Sequence, residues 1–151
     1  MISQSDIRDL YQEVILDHNK SPRNFGKPTE HTHHAEGFNP LCGDHLQMFL
    51  NIEDNIIKDV KFEGEGCAIS KATASLMTSE LKGKTTDEAQ HLFDKFLSVV
   101  TSDIDSPIDP ELGKLSVIAG VREFPVRVKC ATLAMHTIKN AINNEGIVST
   151  E

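Results

Sequence analysis

Two short alternating runs joined by a turn constrain this chain more than any other feature. Leu46, Met48, Leu50 and Ile52 alternate with Gln47, Phe49 and Asn51, the two-residue period of a half-buried strand. Glu53-Asp54-Asn55 reads as a turn, and residues 56–63 resume the alternation, Val60 and Phe62 set against Lys61 and Glu63. The pair predicts an antiparallel hairpin. Cys42 and Cys67 flank its outer ends, so the pairing brings both thiols to one edge of a sheet.

Helical periods surround the hairpin. Ile7, Leu10, Tyr11, Val14 and Ile15 recur at helical spacing, which predicts a helix over 5–18, capped by Ser3 or Ser5 and closed near residues 18–20. Pro22, Gly26, Pro28, Gly37 and Pro40 make residues 21–40 a loop with one short strand near Ala35. A helix is expected from about Ala68 to Lys82, stopped by Gly83. Thr85 with Glu88 forms a capping-box pattern ahead of an apolar face of Ala89, Leu92, Phe93, Phe96, Leu97 and Val100. Asp109 and Pro110 open a short helix ending near Gly120. The last helix is placed from about Ala131, and the tail 144–151 is expected to fray. With no repeat or linker, the expectation is one α+β domain over 1–151, a small antiparallel sheet with helices packed on one face.

A net charge of -8, no Trp and a single Tyr argue against a general nucleic-acid binder. No apolar stretch approaches membrane-spanning length, and residues 1–6 lack the start of a secretory signal. Three cysteines are an odd number, which speaks against a disulfide framework and for a reducing, cytoplasmic setting.

The three thiols have unlike neighbours. Cys42 lies in Asn39-Pro40-Leu41-Cys42-Gly43-Asp44, Cys67 in Gly64-Glu65-Gly66-Cys67-Ala68-Ile69-Ser70, and Cys130 in Arg127-Val128-Lys129-Cys130-Ala131-Thr132-Leu133. Cys67 and Cys130 are each expected just before a helix, where free amides favour a thiolate. In an extended chain Asp44 shares a face with Cys42. A carboxylate beside a thiol makes most sense with a metal between them. Three thiolates and a carboxylate suit tetrahedral Zn²⁺, and the same thiols suit an iron–sulfur cluster. No Cys-x-x-Cys pair is present, so structural thiols, zinc and a cluster all stay open on the residues alone.

Those three blocks resemble the signature of the NifU/IscU superfamily, as does Leu10-Tyr11-Gln12-Glu13-Val14-Ile15-Leu16-Asp17-His18 with Pro22-Arg23-Asn24-Phe25-Gly26. The resemblance runs from about Asp6 to Ile142 and is closest to the SufU branch. Lys129 stands where the scaffold class has His, and the stretch between Cys67 and Cys130 is longer than in that class. The resemblance implies an IscU-type (SufE/NifU-like) fold and zinc held by Cys42, Asp44, Cys67 and Cys130. It further implies a sulfurtransferase role in iron–sulfur cluster assembly. A PLP-dependent, SufS-like cysteine desulfurase would pass persulfide sulfur to Cys42, supported by Arg127, and SUF scaffold components would receive it. Two alternatives stand beside this: a scaffold that transiently assembles a [2Fe-2S] or [4Fe-4S] cluster, with iron in place of zinc, and a structural zinc domain without sulfur traffic.

The remaining polar residues read more plainly. His31, His33 and His34 are taken as a solvated loop, His45 is given no role, and His18 is expected to serve the end of the first helix. Phe93 and Phe96 are core.

Overall fold

The computed structural model describes residues 4–144 and 147–149. The chain runs α1 (Gln4–Lys20), β1 (His33–Asn39), β2 (Asp44–Glu53), β3 (Ile56–Glu65), α2 (Ala68–Leu81) and α3 (Thr86–Val100). A 3₁₀ segment (Pro110–Glu123), α4 (Pro125–Ile142) and β4 (Ile147–Ser149) follow. The proposed caps Ser3 and Ser5, and Ile7 and Leu10 on the α1 stripe, lie outside the described side chains. No helix among the described residues is long and apolar enough to cross a membrane.

The hairpin forms as its alternation predicts. β2 and β3 pair antiparallel, Met48 opposite Phe62 and Leu50 opposite Val60. Asp54 and Asn55 take the left-handed conformation at the turn (φ 52° and 62°), which suits the twist of a two-residue hairpin loop. β1 adds antiparallel to β2, with Ala35 opposite Met48 and Gly37 opposite Leu46. These positions line one buried face, and the helices cover it. α4 lies across β1 so closely that a Cβ on Gly37 would collide with Thr137 Oγ1. α2 is buried on most of its circumference between α1, β3 and α4. The capping box of Thr85 and Glu88 is formed, and Phe93 and Phe96 are buried.

Three expectations are corrected. The tail contributes β4, a parallel edge strand whose Ile147, Val148 and Ser149 pair with Glu36, Gly37 and Phe38; residues 145–146 and 150–151 lie outside the described residues. A three-residue strand pairing with a segment about a hundred positions earlier leaves no local pattern to read. The last helix starts at Pro125, not Ala131, because proline is a favoured first helical residue. His33 and His34 belong to β1. Cys42 sits in a turn over residues 40–43, as its Pro-Leu-Cys-Gly run predicts. Its amide donates to Asn39 O at 3.2 Å, and Gly43 beside it has a φ of 71°.

Candidate metal and sulfur site

The open end of the hairpin gathers the site. Asp44 begins β2, and Asn39, its antiparallel partner, ends β1. Cys67 is the N-cap of α2. Cys130 lies in the second turn of α4 and is fully buried, while Cys42 is half-buried in the turn that precedes β2. The fold thus brings Cys42, Asp44 and Cys130 together and sets Cys67 beside Asp44.

Asp44 is the hub. Its carboxylate is 2 % exposed. Oδ1 accepts the amide of Cys67 at 2.7 Å, and Oδ2 accepts the Ser70 hydroxyl at 2.6 Å and Asn39 Nδ2 at 3.3 Å. Such closeness requires a glycine at position 66, where a Cβ would stand 2.6 Å from Asp44 Oδ1. Cys67 Sγ lies 3.9 Å from Asp44 Oδ2 and 3.6 Å from Ser70 Oγ. Cys130 Sγ approaches Cys42 Sγ to 3.2 Å and accepts Asn39 Nδ2 at 3.4 Å. Among the described residues, Cys42, Asp44 and Cys130 place one ligand atom each within 4.8 Å of one another. Cys67 borders that set through Asp44.

Burial pushes the Cys130 thiol well up, and Cys42, Cys67 and Asp44 push it further. Its expected activation at a helix start is therefore overturned. Cys130 sits a turn inside α4, among acidic groups, where burial outweighs the helix dipole. Two thiolates 3.2 Å apart repel unless a proton or a cation lies with them. A bound divalent cation reverses this balance, since a coordinating thiol is deprotonated outright. Two thiols and a carboxylate within 4.8 Å of one another, with the Cys67 thiol beside that carboxylate, fit a zinc ion by donor type.

Arg127 supplies the local positive charge. Exposed in the first turn of α4, it is held above its ordinary pKa by the nearby Cys130 and then Cys67 thiols. Lys129 is also exposed. Tyr11, Gln12, Ile15, Leu16, Ile69, Phe124 and Arg127 line a groove of about 520 Å³ beside the thiols. Leu16, Leu41, Phe124 and Val126 stand exposed around it. Tyr11 is buried with its hydroxyl unpartnered among the described residues, and burial and then the charge of Cys67 push its pKa up to about 12.

Sequence reasoning gave Asn39, Ser70, Gly66 and Tyr11 no role at the site, although all four lie inside the quoted motifs. The distant histidines stay away from the thiols. His31 and His34 pack around Phe49, and His45 stacks on Phe38 at 4.4 Å and meets Glu36 at 3.3 Å. His18 is no helix-end cation: it is buried against Ser75 Oγ at 2.7 Å, and burial lowers its pKa.

The family model of the NifU-like N-terminal domain matches residues 10–145. The zinc-dependent sulfurtransferase SufU of Bacillus subtilis (strain 168) is 37% identical over 146 residues, covering 96% of this chain and 97% of that protein. The iron–sulfur cluster assembly scaffold protein IscU of Streptococcus pyogenes serotype M1 is 38% identical over 138 residues, covering 91% and 86%. Among solved structures, a proposed iron–sulfur cluster assembly scaffold for the SUF system from Fervidobacterium islandicum AW-1 superposes with a TM-score of 0.80. It is 32% identical and covers 89% of this chain and 98% of that one.

Proposed function

Since the chain belongs to the family of NifU-like N-terminal domains, we propose that it serves iron–sulfur cluster assembly as a zinc-containing acceptor and carrier of persulfide sulfur. The observation that carries this reading is the convergence of Cys42, Asp44 and Cys130 within 4.8 Å, with Cys67 held against Asp44. Cys42, Asp44, Cys67 and Cys130 would hold the ion. Zinc, when bound, would keep the thiols deprotonated in a buried setting.

The four ligands differ in what they can do. Asp44, Cys67 and Cys130 are fixed by buried hydrogen bonds or by helix ends, whereas Cys42 sits on a half-buried turn beside Gly43. Cys42 is therefore the thiol that can move. Its thiolate attacks the outer sulfur of a persulfide on a cysteine desulfurase, becoming Cys42–S–SH as the donor cysteine leaves as thiolate. Arg127 stands exposed to pair with the charge that develops. The exposed apolar residues around the groove offer the partner a surface that excludes water from the exchange.

Lys129 supports transfer over scaffolding through the resemblance already drawn, which implies His at that position in the scaffold class. Metal analysis of protein purified without oxygen separates the two: about one zinc per chain is expected, and iron with acid-labile sulfide would instead indicate a scaffold. Wild type should stimulate a cognate desulfurase, and Cys42→Ala should not. Full stimulation by Cys42→Ala would sink the transfer reading.

A further inference from the structure

The thiol nearest to Cys42 is placed to end the life of a persulfide formed there. Cys130 Sγ lies 3.2 Å from Cys42 Sγ, within the range of a near-attack arrangement. Cys67 Sγ is instead engaged with Asp44 Oδ2 and Ser70 Oγ. Cys130 has little freedom to turn away. Asn39 Nδ2 donates to its sulfur at 3.4 Å, and its carbonyl accepts the Ser70 hydroxyl at 3.3 Å. The residue is fully buried, so external thiols have poor access to it.

On the reading of Cys42 as sulfur acceptor, we propose that Cys130 is a resolving thiol that discharges the Cys42 persulfide as sulfide within the chain. Cys130 sulfur attacks Cys42 Sγ, a new S–S bond forms, and the bond from Cys42 to its outer sulfur breaks. The bonding pair leaves with the outer sulfur, which is reduced to sulfide while the Cys130 sulfur is oxidised. The Cys130 proton ends on the departing hydrosulfide, so Cys42–S–SH and Cys130–SH become a Cys42–Cys130 disulfide and H₂S. The step needs no outside oxidant or reductant; a dithiol reductant resets the pair. A Cys130 engaged by a metal has its electron pair committed, so the discharge belongs to the metal-free chain. Loss of the ion then turns a carrier of bound sulfur into a source of free sulfide.

The test uses the full chain, either with its zinc or stripped by chelator, with folding checked by circular dichroism. Both samples are loaded with inorganic polysulfide, desalted and kept free of added thiol. The stripped wild type should release about one sulfide per Cys42 persulfide and gain a Cys42–Cys130 linked peptide. Cys130→Ser should keep its Cys42 persulfide, with release slowed about tenfold or more. A Cys42 persulfide equally durable in stripped wild type and Cys130→Ser overturns the proposal, as does a cross-link to Cys67. If Cys130→Ser does not fold, the ratio of Cys130 to Cys67 links in the wild type decides. Polysulfide loading needs no desulfurase, so failure of the enzyme to load Cys42 would count against the acceptor reading alone.

Discussion

At the closed end of the β2–β3 hairpin, polar groups are satisfied mostly backbone to backbone; at the open end side chains from separate elements hold one another. The closed end turns on Asp54 and Asn55 and is laced to the loop between α2 and α3. Ile57 N donates to Lys84 O, Gly83 N to Ile57 O, and Thr86 N to Asn55 O, all between 2.8 and 2.9 Å. Thr85 and Glu88 then cap α3 reciprocally at 3.0 and 3.1 Å. At the open end Asn39 reaches Cys130, 91 positions away, and Ser70 reaches Asp44, 26 away. Two buried polar atoms there, Tyr11 Oη and Asn39 Oδ1, find no partner among the described residues. Leu41 and Val126, 69 % and 68 % exposed, stand uncovered beside it. A buried polar atom left unpaired costs stability, so the open end gives up what the closed end secures. It holds thiols and a carboxylate together for chemistry.

The comparison breaks most visibly at Asn39. Its side-chain amide donates to both Asp44 and Cys130, so its donors favour the anionic forms a metal needs. Asn39→Asp keeps the shape, removes the donors and adds a charge. Zinc affinity should fall about 10- to 100-fold, read by competition with a chromophoric chelator. Unchanged affinity would show that Asn39 only fills space.

The contrast between the ends also explains what the sequence discloses. The hairpin, its turn and the Thr85–Glu88 box are written in adjacent residues, and the alternation of Leu46, Met48 and Leu50 states which face is buried. The three thiols and Asp44 could be named because they sit in compact blocks. Their wiring could not. Asn39 and Ser70 act through partners whose distance only the folded chain sets. The apolar stripe of α4 begins several residues after Pro125, so the stripe alone sets the helix start six residues too late and only the proline marks it. That shift changes the chemistry, since it moves Cys130 from an activating helix end into a buried second turn. β4 went unread because its partner strand lies far back in the sequence.

A smaller effect is expected at the closed end. Thr85→Ala removes one half of the capping box and should cost about 1 kcal/mol of stability, seen as a lower denaturant midpoint. Zinc affinity and sulfur acceptance per folded molecule should not change. A loss of zinc affinity in this variant would mean that the two ends are coupled, and the division of labour argued here would fail.

The smallest effect belongs to the seam that joins α1 to α2 between these ends. Ser75 Oγ receives the Arg23 amide at 2.8 Å and lies 2.7 Å from His18 Nδ1. The buried pair leaves the His18 ring on the side of its neutral form, since burial disfavours the imidazolium. Burial lowers the His18 pKa and the charge of Arg23 adds to this, with Lys114 acting in the same direction and Asp17 opposing. As pH falls below about 6.5, the usual histidine value, the unfolded chain binds a proton that the folded chain resists. Stability should therefore decline from that pH downward until the lowered folded pKa is passed. His18→Asn keeps a polar partner for Ser75 and removes the titration, so its melting temperature should depend less on pH across this window. His136, lowered by its own burial, contributes with the same sign, so the slope should shrink without vanishing. An unchanged slope in His18→Asn would remove His18 from the acid sensitivity of the fold and leave it to His136 and other groups.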